Sequence, residues 1–245
     1  MSDPIQEFLK ETRLRIESNS KNEELQKAAT AFNIASNKAQ YSYNFKWMGR
    51  PIIQYPQDMV AMQEIIWDIQ PDLIIETGIA HGGSLIFYAS ILELIGKGEV
   101  LGIDIDIREN NRREIEKHPM MKRIKMIRGS SIHNEIINEV KEHAKGKQKI
   151  LVCLDSNHTH EHVLAELNAY SSLVSLNSYI VVFDTIVEDL PEGYFSEKRP
   201  WGISNNPKTA VQEFLKANTD FVIDKSINNK LLISVAPDGY LKRVK

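Results

Sequence analysis

Asp155 and Asp184 are the residues of this chain whose chemistry is easiest to name. Each ends an apolar run, Lys149 to Asp155 and Ser178 to Asp184, that reads as a short buried strand. If those strands are neighbours, the two carboxylates converge. Two such acids in an apolar setting repel each other and are costly to ionise. A divalent cation relieves that cost, and oxygen ligands in a chain without a cysteine cluster favour Mg2+, Mn2+ or Ca2+ over zinc. Asn157, His158 and Thr185 stand close enough in sequence to join them. The alternative is that each acid separately caps the next helix or loop. His158 opens a histidine-rich run, His158-Thr159-His160-Glu161-His162. Imidazole is the side chain that titrates nearest neutral pH, which makes His158 the candidate general base. His160 and His162 are expected to start the following helix and face solvent.

A second constellation surrounds Leu73-Ile74-Ile75-Glu76-Thr77-Gly78-Ile79-Ala80-His81-Gly82-Gly83-Ser84. The apolar run Leu73 to Ile75, with Glu76 and β-branched Thr77, followed by a glycine-rich turn and a helical pattern, gives a strand, a turn and a helix start. Such a turn presents backbone N–H groups and the positive end of a helix to a polar or anionic ligand. Glu76, Gly78, Ala80, Gly82 and Ser84 are therefore candidate cofactor-binding residues. His81 flanks the same place or is a hydrogen-bonded structural histidine. The run Gly102-Ile103-Asp104-Ile105-Asp106 ends a second strand, and an acid there can accept both hydroxyls of a ribose. Asp104, at the strand's end, is the better candidate; a solvated or capping acid is the alternative. Ser130 follows a third strand, where it touches an adenine edge or caps the next helix. The glycines do not spell G-x-G-x-x-G, so a dinucleotide fingerprint is absent and a nicotinamide dehydrogenase is disfavoured.

These residues need a scaffold, and the pattern supplies one. Strands are predicted at Leu73 to Thr77, Glu99 to Asp104, Arg123 to Arg128, Lys149 to Asp155 and Ser178 to Asp184. Helices alternate with them, starting near Gly83 and spanning Arg108 to Lys117, Ile132 to His143, His160 to Leu173 and Pro207 to Ala217. Two further strands, Phe221 to Asp224 and Leu231 to Val235, are expected to pair antiparallel across an Asn-rich turn. Strand and helix alternation with short links implies an α/β, doubly wound, mostly parallel sheet. Seven strands with the last two paired match the Rossmann-like sheet of class I S-adenosylmethionine-dependent methyltransferases. The expected organisation is an N-terminal helical and aromatic-loop extension over 1–56 and the cofactor-binding domain over 57–245. In the extension, Ile5 to Ile16 and Glu23 to Ala39 read as amphipathic helices, and Tyr41 to Pro51 as an aromatic loop that lines a pocket or anchors the extension. Asp58 is expected to cap a helix running to about Ile69. The loop Thr185 to Asn206, with Tyr194, Phe195 and Trp201, is long enough to serve as a lid.

Composition narrows the function. At 245 residues and 42% apolar side chains the chain can bury one substantial core. A formal charge of -3 and a pI near 6.2 argue against nucleic acid as a partner. The one cysteine, Cys153, lies in an apolar run and reads as a buried structural thiol. No apolar run approaches the ~20 residues of a membrane span. The charged N-terminus lacks a signal core, so a cytoplasmic protein is expected. The amphipathic N-terminal helices favour a homo-oligomer.

At several of these residues the sequence resembles the cephalosporin hydroxylase family. The matching blocks are Trp47-x-Gly49-x-Pro51, Pro56-x-Asp58, Pro71 to Gly78 with His81-Gly82-Gly83-Ser84, Asp155-Ser156-Asn157-His158 with His162-Val163-x-x-Glu166-Leu167, and Asp184-Thr185. They occur in order over roughly Trp47 to Leu215. The resemblance implies the methyltransferase fold, S-adenosylmethionine at the first turn, and a Mg2+ site like that of catechol-type O-methyltransferases. It makes Asp155, Asp184 and Thr185 the metal ligands, Thr185 standing where catechol-type enzymes have Asn. His158 takes the place of their catalytic lysine. The family often has an acid before the second Asp, and here that position is Phe183.

The expected activity is S-adenosylmethionine-dependent, Mg2+-assisted O-methylation of a hydroxylated small molecule, a sugar or secondary metabolite, with Asp155 and His158 as catalytic residues. Two rivals stand beside it. One is a noncatalytic binding subunit of the same fold, which the Phe183 departure suggests. The other is the hydroxylase of the family name, for which the chain offers no two-histidine, one-carboxylate triad.

Overall fold

The computed structural model describes residues 3–194 and 199–245. Its frame is a seven-stranded sheet in the order β5-β4-β3-β6-β7-β9-β8. The strands are β3 (Leu73–Thr77), β4 (Glu99–Asp104), β5 (Ile124–Arg128), β6 (Ile150–Leu154), β7 (Tyr179–Val182), β8 (Phe221–Ile223) and β9 (Tyr240–Arg243). The first five pair in parallel, and β9 runs antiparallel between β7 and β8. Central β3 is buried at all five positions and so is β6, as a parallel sheet covered on both faces requires. One face carries α3 (Pro56–Ile69) and α4 (Gly83–Ile95) over a core that includes Ile74, Leu151 and Val181. The other carries α6 (Asn134–Ala144), α7 (His160–Tyr170) and α8 (Pro207–Ala217) over Ile75, Val152 and Ile180. The alternation of side chains along each strand divides the two cores. The expected mostly parallel seven-stranded sheet is thus present.

Three expectations are corrected. Leu231 to Val235 is not a strand: the preceding residues form helix α9 (Lys225–Leu231), capped by the Asp224 carboxylate on Ser226 N, and the Ser234–Val235 backbone bends into the core. The closing strand is Tyr240–Arg243, entered through the Asp238-Gly239 turn. Asp58 does not cap its helix. Pro56 holds the first position, and the Asp58 side chain is fully buried on Ser234 and Tyr240. The aromatic segment is not an irregular loop either: a 3-10 turn at Tyr41–Asn44 leads into a hairpin of β1 (Phe45–Trp47) and β2 (Arg50–Ile52). Met48 and Gly49 make its turn, both at positive φ.

Both weighed roles of those aromatics occur. Tyr41 packs against Phe32, Phe45 and Tyr55, and Trp47 meets Phe87 edge to face while its indole N–H donates to Ser90 Oγ at 2.9 Å. Tyr43 is left exposed over a cavity. Helices α1 (Pro4–Asn19) and α2 (Glu23–Lys38) lie over the C-terminal segment, where Asn19 Nδ2 donates to Asn229 O at 3.0 Å. Among the described residues no helix is long and apolar enough to cross a membrane.

Candidate functional site

The parallel strands deliver their following loops to one edge of the sheet, and the polar groups gather there. Asp155 follows β6, and Asp184 follows the neighbouring β7 in the left-handed conformation, φ 55°. His158 joins them from the loop before α7. One ligand atom from each of Asp155, His158 and Asp184 lies within 4.8 Å of the other two, and His158 Nδ1 is 3.4 Å from Asp184 Oδ2. Among the described residues no hydrogen bond reaches the Asp155 carboxylate. Burial, with Asp184, Glu76 and Glu166 close by, holds it well above the usual carboxylate range. Two carboxylates and an imidazole around a common point form a donor set that suits a divalent cation.

Two cavities meet at this triad. One of about 200 Å3 is lined by the β3 turn and the β2 exit, including Gly78, Ala80, His81, Ser84, Ile53 and Gln54. The other, of about 690 Å3, is lined by α2, the 3-10 turn after β7 (Thr185–Asp189) and the following loop, including Ile34, Tyr43, Tyr194 and Trp201. Tyr43, Ile53, His158 and Asp184 line both. The His158 ring meets the edge of Trp201 at 4.9 Å, and Arg199 lies over the same indole at 5.4 Å.

The smaller cavity fits S-adenosylmethionine by its chemistry. It shares Asp155 and Asp184 with the candidate cation site, and its remaining polar lining, the β3 turn and Gln54, is left for the polar groups of that cofactor. Gln54 is 1% exposed; the Tyr88 hydroxyl lies beside its amide, and its Oε1 has no partner among the described residues. Such orphaned groups are rare in a finished interior and mark a place for a polar ligand. Gly78, at φ 89°, has no space for a side chain: a Cβ would stand 2.0 Å from Asp155 O. Gly83 meets Pro51 O in the same way. The turn's glycines thus serve chain-to-chain approach, locking the β3 turn against the Asp155 loop and the hairpin.

Other expected cofactor residues act from behind this wall. Glu76 is fully buried, accepts from Ser84 Oγ at 2.8 Å, and is pushed up to about 8 by burial, so it holds the proton at neutral pH. It positions Ser84 and does not line either cavity. Gly82 packs against Ile115 at the start of α4. Asp104 Oδ2 accepts from Ile79 N at 2.8 Å and Ala80 N at 3.3 Å, while Oδ1 accepts from Asp106 N at 2.9 Å. Its carboxylate therefore braces the turn, and a ribose would share it with three backbone amides. Ser130 lines neither cavity. Its neighbour Ser131 is the engaged hydroxyl, donating to Glu166 at 2.5 Å.

Thr185, expected as a third ligand, is engaged elsewhere. Its hydroxyl donates to Pro237 O at 2.7 Å in a fully buried setting, and His158 contributes a ligand atom to the group with Asp155 and Asp184. Asn157 is likewise engaged, accepting from Thr159. His160 and His162 do not face solvent: His160 reaches Thr209 and Glu213 on α8, and His162 sits over buried Glu166 with Ser131 and Ser156. Phe195 of the expected lid lies outside the described residues. Sequence reasoning missed Arg50 and Asn111, which hold the turn through the carbonyls of His81 and Ala80. Arg50 sits inside the Trp47 to Pro51 block, the one local signal of its role.

Comparison with known proteins agrees with this geometry. The family described as Rhamnosyl O-methyltransferase/CmcI matches residues 39–244. Rhamnosyl O-methyltransferase of Mycobacterium tuberculosis is 30% identical over 201 residues, covering 80% of this chain and 77% of the relative. That of Mycobacterium leprae is 32% identical over 146 residues, covering 59% and 62%. Among solved structures, a CmcI structure described as Mg-SAM superposes with a TM-score of 0.58 at 21% identity, over 83% of this chain and 78% of that one. An O-methyltransferase from Bacillus cereus in complex with SAH gives 0.51 at 13% identity, over 91% and 92%. These structures share the expected Rossmann-like methyltransferase fold. With a matched stretch that carries both cavities' shared wall and all three residues of the triad, the chain belongs to the rhamnosyl O-methyltransferase/CmcI family.

Proposed function

We propose that the protein transfers the methyl group of S-adenosylmethionine to a hydroxyl of a sugar-like small molecule, assisted by Mg2+ or another divalent cation. One observation carries this reading: Asp155, His158 and Asp184 stand where a cavity suited to the cofactor opens into a larger cavity suited to an acceptor. When bound, the cofactor supplies an electrophilic methyl and the cation lowers the pKa of the acceptor hydroxyl. Asp155 and Asp184 hold the cation. Asp184 beside Nδ1 of His158 fixes the proton on that nitrogen and leaves Nε2 to take the hydroxyl proton. Ser84, held by Glu76, and Gln54 bind the polar end of the cofactor, and the Gly78 backbone sets its approach. Trp201 and Tyr43 offer the aromatic faces on which the C–H side of a sugar ring packs. The relatives named rhamnosyl O-methyltransferase support the sugar class.

His158 among the ligand atoms supports a second reading, in which the imidazole is a third metal ligand. The two readings part on His158→Gln: a base variant loses turnover and keeps metal affinity, a ligand variant loses both.

The test is calorimetric titration of S-adenosylmethionine with and without Mg2+, followed by mass analysis of rhamnosides incubated with the loaded protein. Micromolar cofactor binding and a methylated product are expected. Absence of cofactor binding under every condition would overturn the reading in favour of a noncatalytic subunit. We propose the cytoplasm as its location, which suits the buried, unpaired Cys153, and a homo-oligomer, which suits the exposed Ile5, Phe8 and Leu14 of α1.

A further inference from the structure

Ile34 of α2 and Ile186 after β7 have the acceptor cavity on one side and a third cavity, of about 270 Å3, on the other. The lining of this third cavity differs in kind from that of the acceptor cavity. Gln26 and Asn33 reach it from α2, and Asn228 and Asn229 from α9, with Thr30 at the rim. Gln26 Nε2 donates to Asn19 O at 3.0 Å and Asn228 Nδ2 to Asp238 Oδ1 at 2.7 Å, so these two carboxamides offer their oxygens as acceptors for hydroxyls. The charge of Lys208, also in the lining, is already engaged: its ammonium is 2.8 and 2.7 Å from the two Asp189 oxygens and 3.6 Å from Asp238. Asp238 in turn accepts from Lys225 at 2.5 Å. An anion would therefore meet a neutralised cation, whereas an uncharged hydroxyl-rich group meets amides.

Two of those amides are incompletely bonded. Among the described residues, Oδ1 of Asn33, which is 8% exposed, has no hydrogen-bond partner, and Asn228 Oδ1 is buried in the same state. A buried acceptor without a donor is a cost that hydroxyl donors remove. The ridge between the two cavities is apolar, as the C–H face of a sugar linkage requires. Helix α2, which supplies much of the wall, precedes residue 39, where the family match begins.

We propose that this third cavity is a second acceptor subsite for an uncharged, hydroxyl-rich unit, a sugar residue joined to the one methylated beside His158 and Asp184. The inference rests on the sugar-acceptor reading above. It assigns this chain an acceptor of at least two sugar units, with α2 as the element that selects it.

The experiment compares methyl rhamnoside with the positional isomers of methyl rhamnosyl-rhamnoside, on wild type, Asn33→Leu and Thr30→Trp. Asn33→Leu removes the orphaned acceptor at similar volume, and Thr30→Trp fills the cavity from an exposed position. Turnover and, independently, saturation-transfer NMR of each sugar on the cofactor-loaded protein are read. At least one two-sugar isomer is expected to show a KM about tenfold below that of the single sugar, and both variants are expected to erase that preference. Equal KM values in wild type, or variants that keep the preference, overturn the inference. If no sugar is methylated, the functional reading fails separately. The subsite then stands if two-sugar binding is seen and both variants abolish it, and falls if no two-sugar isomer binds.

Discussion

Asp58, three residues into α3, and Asp155, after β6, are both lifted above the usual carboxylate range, and the groups around them differ in kind. Asp58 is pushed up to about 6 by complete burial, against three donors: Ser234 Oγ at 2.6 Å, Tyr240 Oη at 2.7 Å and Val235 N at 2.9 Å. Asp155 has no such donors among the described residues. Its neighbours are other acids, and Asp184 and Glu76 add to the effect of burial. The first carboxylate is bonded by the fold itself, tying α3 to the C-terminal segment across the whole sequence. The second is left with negative potential facing two cavities. A chain that satisfies one buried acid so fully has the means to satisfy another. Where it does not, the charge is held for something that arrives from outside.

Exchanging the acids for neutral residues separates the two regions. Asp155→Asn or Asp184→Asn is expected to lower kcat by about 10^3-fold or more, the scale of a lost metal-assisted step. The unfolding midpoint without metal should hold or rise, because one of two repelling charges is gone. Asp58→Ala should do the reverse. It strands two hydroxyls and a backbone N–H in the core and is expected to cost about 3 kcal/mol in urea unfolding, with turnover of the folded fraction little changed. A large stability loss in Asp155→Asn would erase the distinction drawn between them.

The same contrast explains what could be read from the chain. Asp155, Asp184, His158 and the Gly78 turn were legible because each directly follows a strand, and in a parallel sheet strand ends converge whatever the intervening helices do. Asp58 was misread as a cap because a local rule for acids near a helix start ignores Ser234 and Tyr240, which are remote in sequence and come together only through β9. The misplaced last strand has the same origin. Leu231 to Val235 has strand composition, but the position beside β7 goes to Tyr240–Arg243, whose Tyr240 and Leu241 are fully buried. Thr185 illustrates the limit for a site residue: adjacency to Asp184 placed it near the acids, but its rotamer is set by Pro237 O. The walls of the acceptor cavity were least legible, since α2, the hairpin and the loop after β7 meet only in three dimensions.

Glu76 offers the finest test, because it combines features of both acids. Like Asp58 it is wholly buried in the fold, but it has fewer donors, Ser84 Oγ at 2.8 Å and the buried Tyr88 hydroxyl beside it. Burial pushes it up to about 8 from an ordinary value of 4.5. A raised carboxylate pKa means that the folded state keeps a proton the unfolded chain releases. Stability from this group is therefore complete below about pH 4.5 and is lost as pH rises toward about 8. Glu76→Gln removes that loss while still offering Ser84 an acceptor. The variant is expected to be more stable than wild type at pH 7, by a net of about 2 kcal/mol after allowing for the extra buried amide donors. The difference should shrink as pH falls toward 4.5 and level off below it, where the wild-type acid is protonated in both states. Urea unfolding at a series of pH values reads it directly. The slope left in Glu76→Gln above about pH 4 then reports Asp58 and Asp155 together, whose shifts have the same sign, and Asp155→Asn in the same background isolates Asp58. A variant whose stability tracks wild type at every pH would show that Glu76 is ionised in the folded protein and belongs with Asp155, facing the ligand.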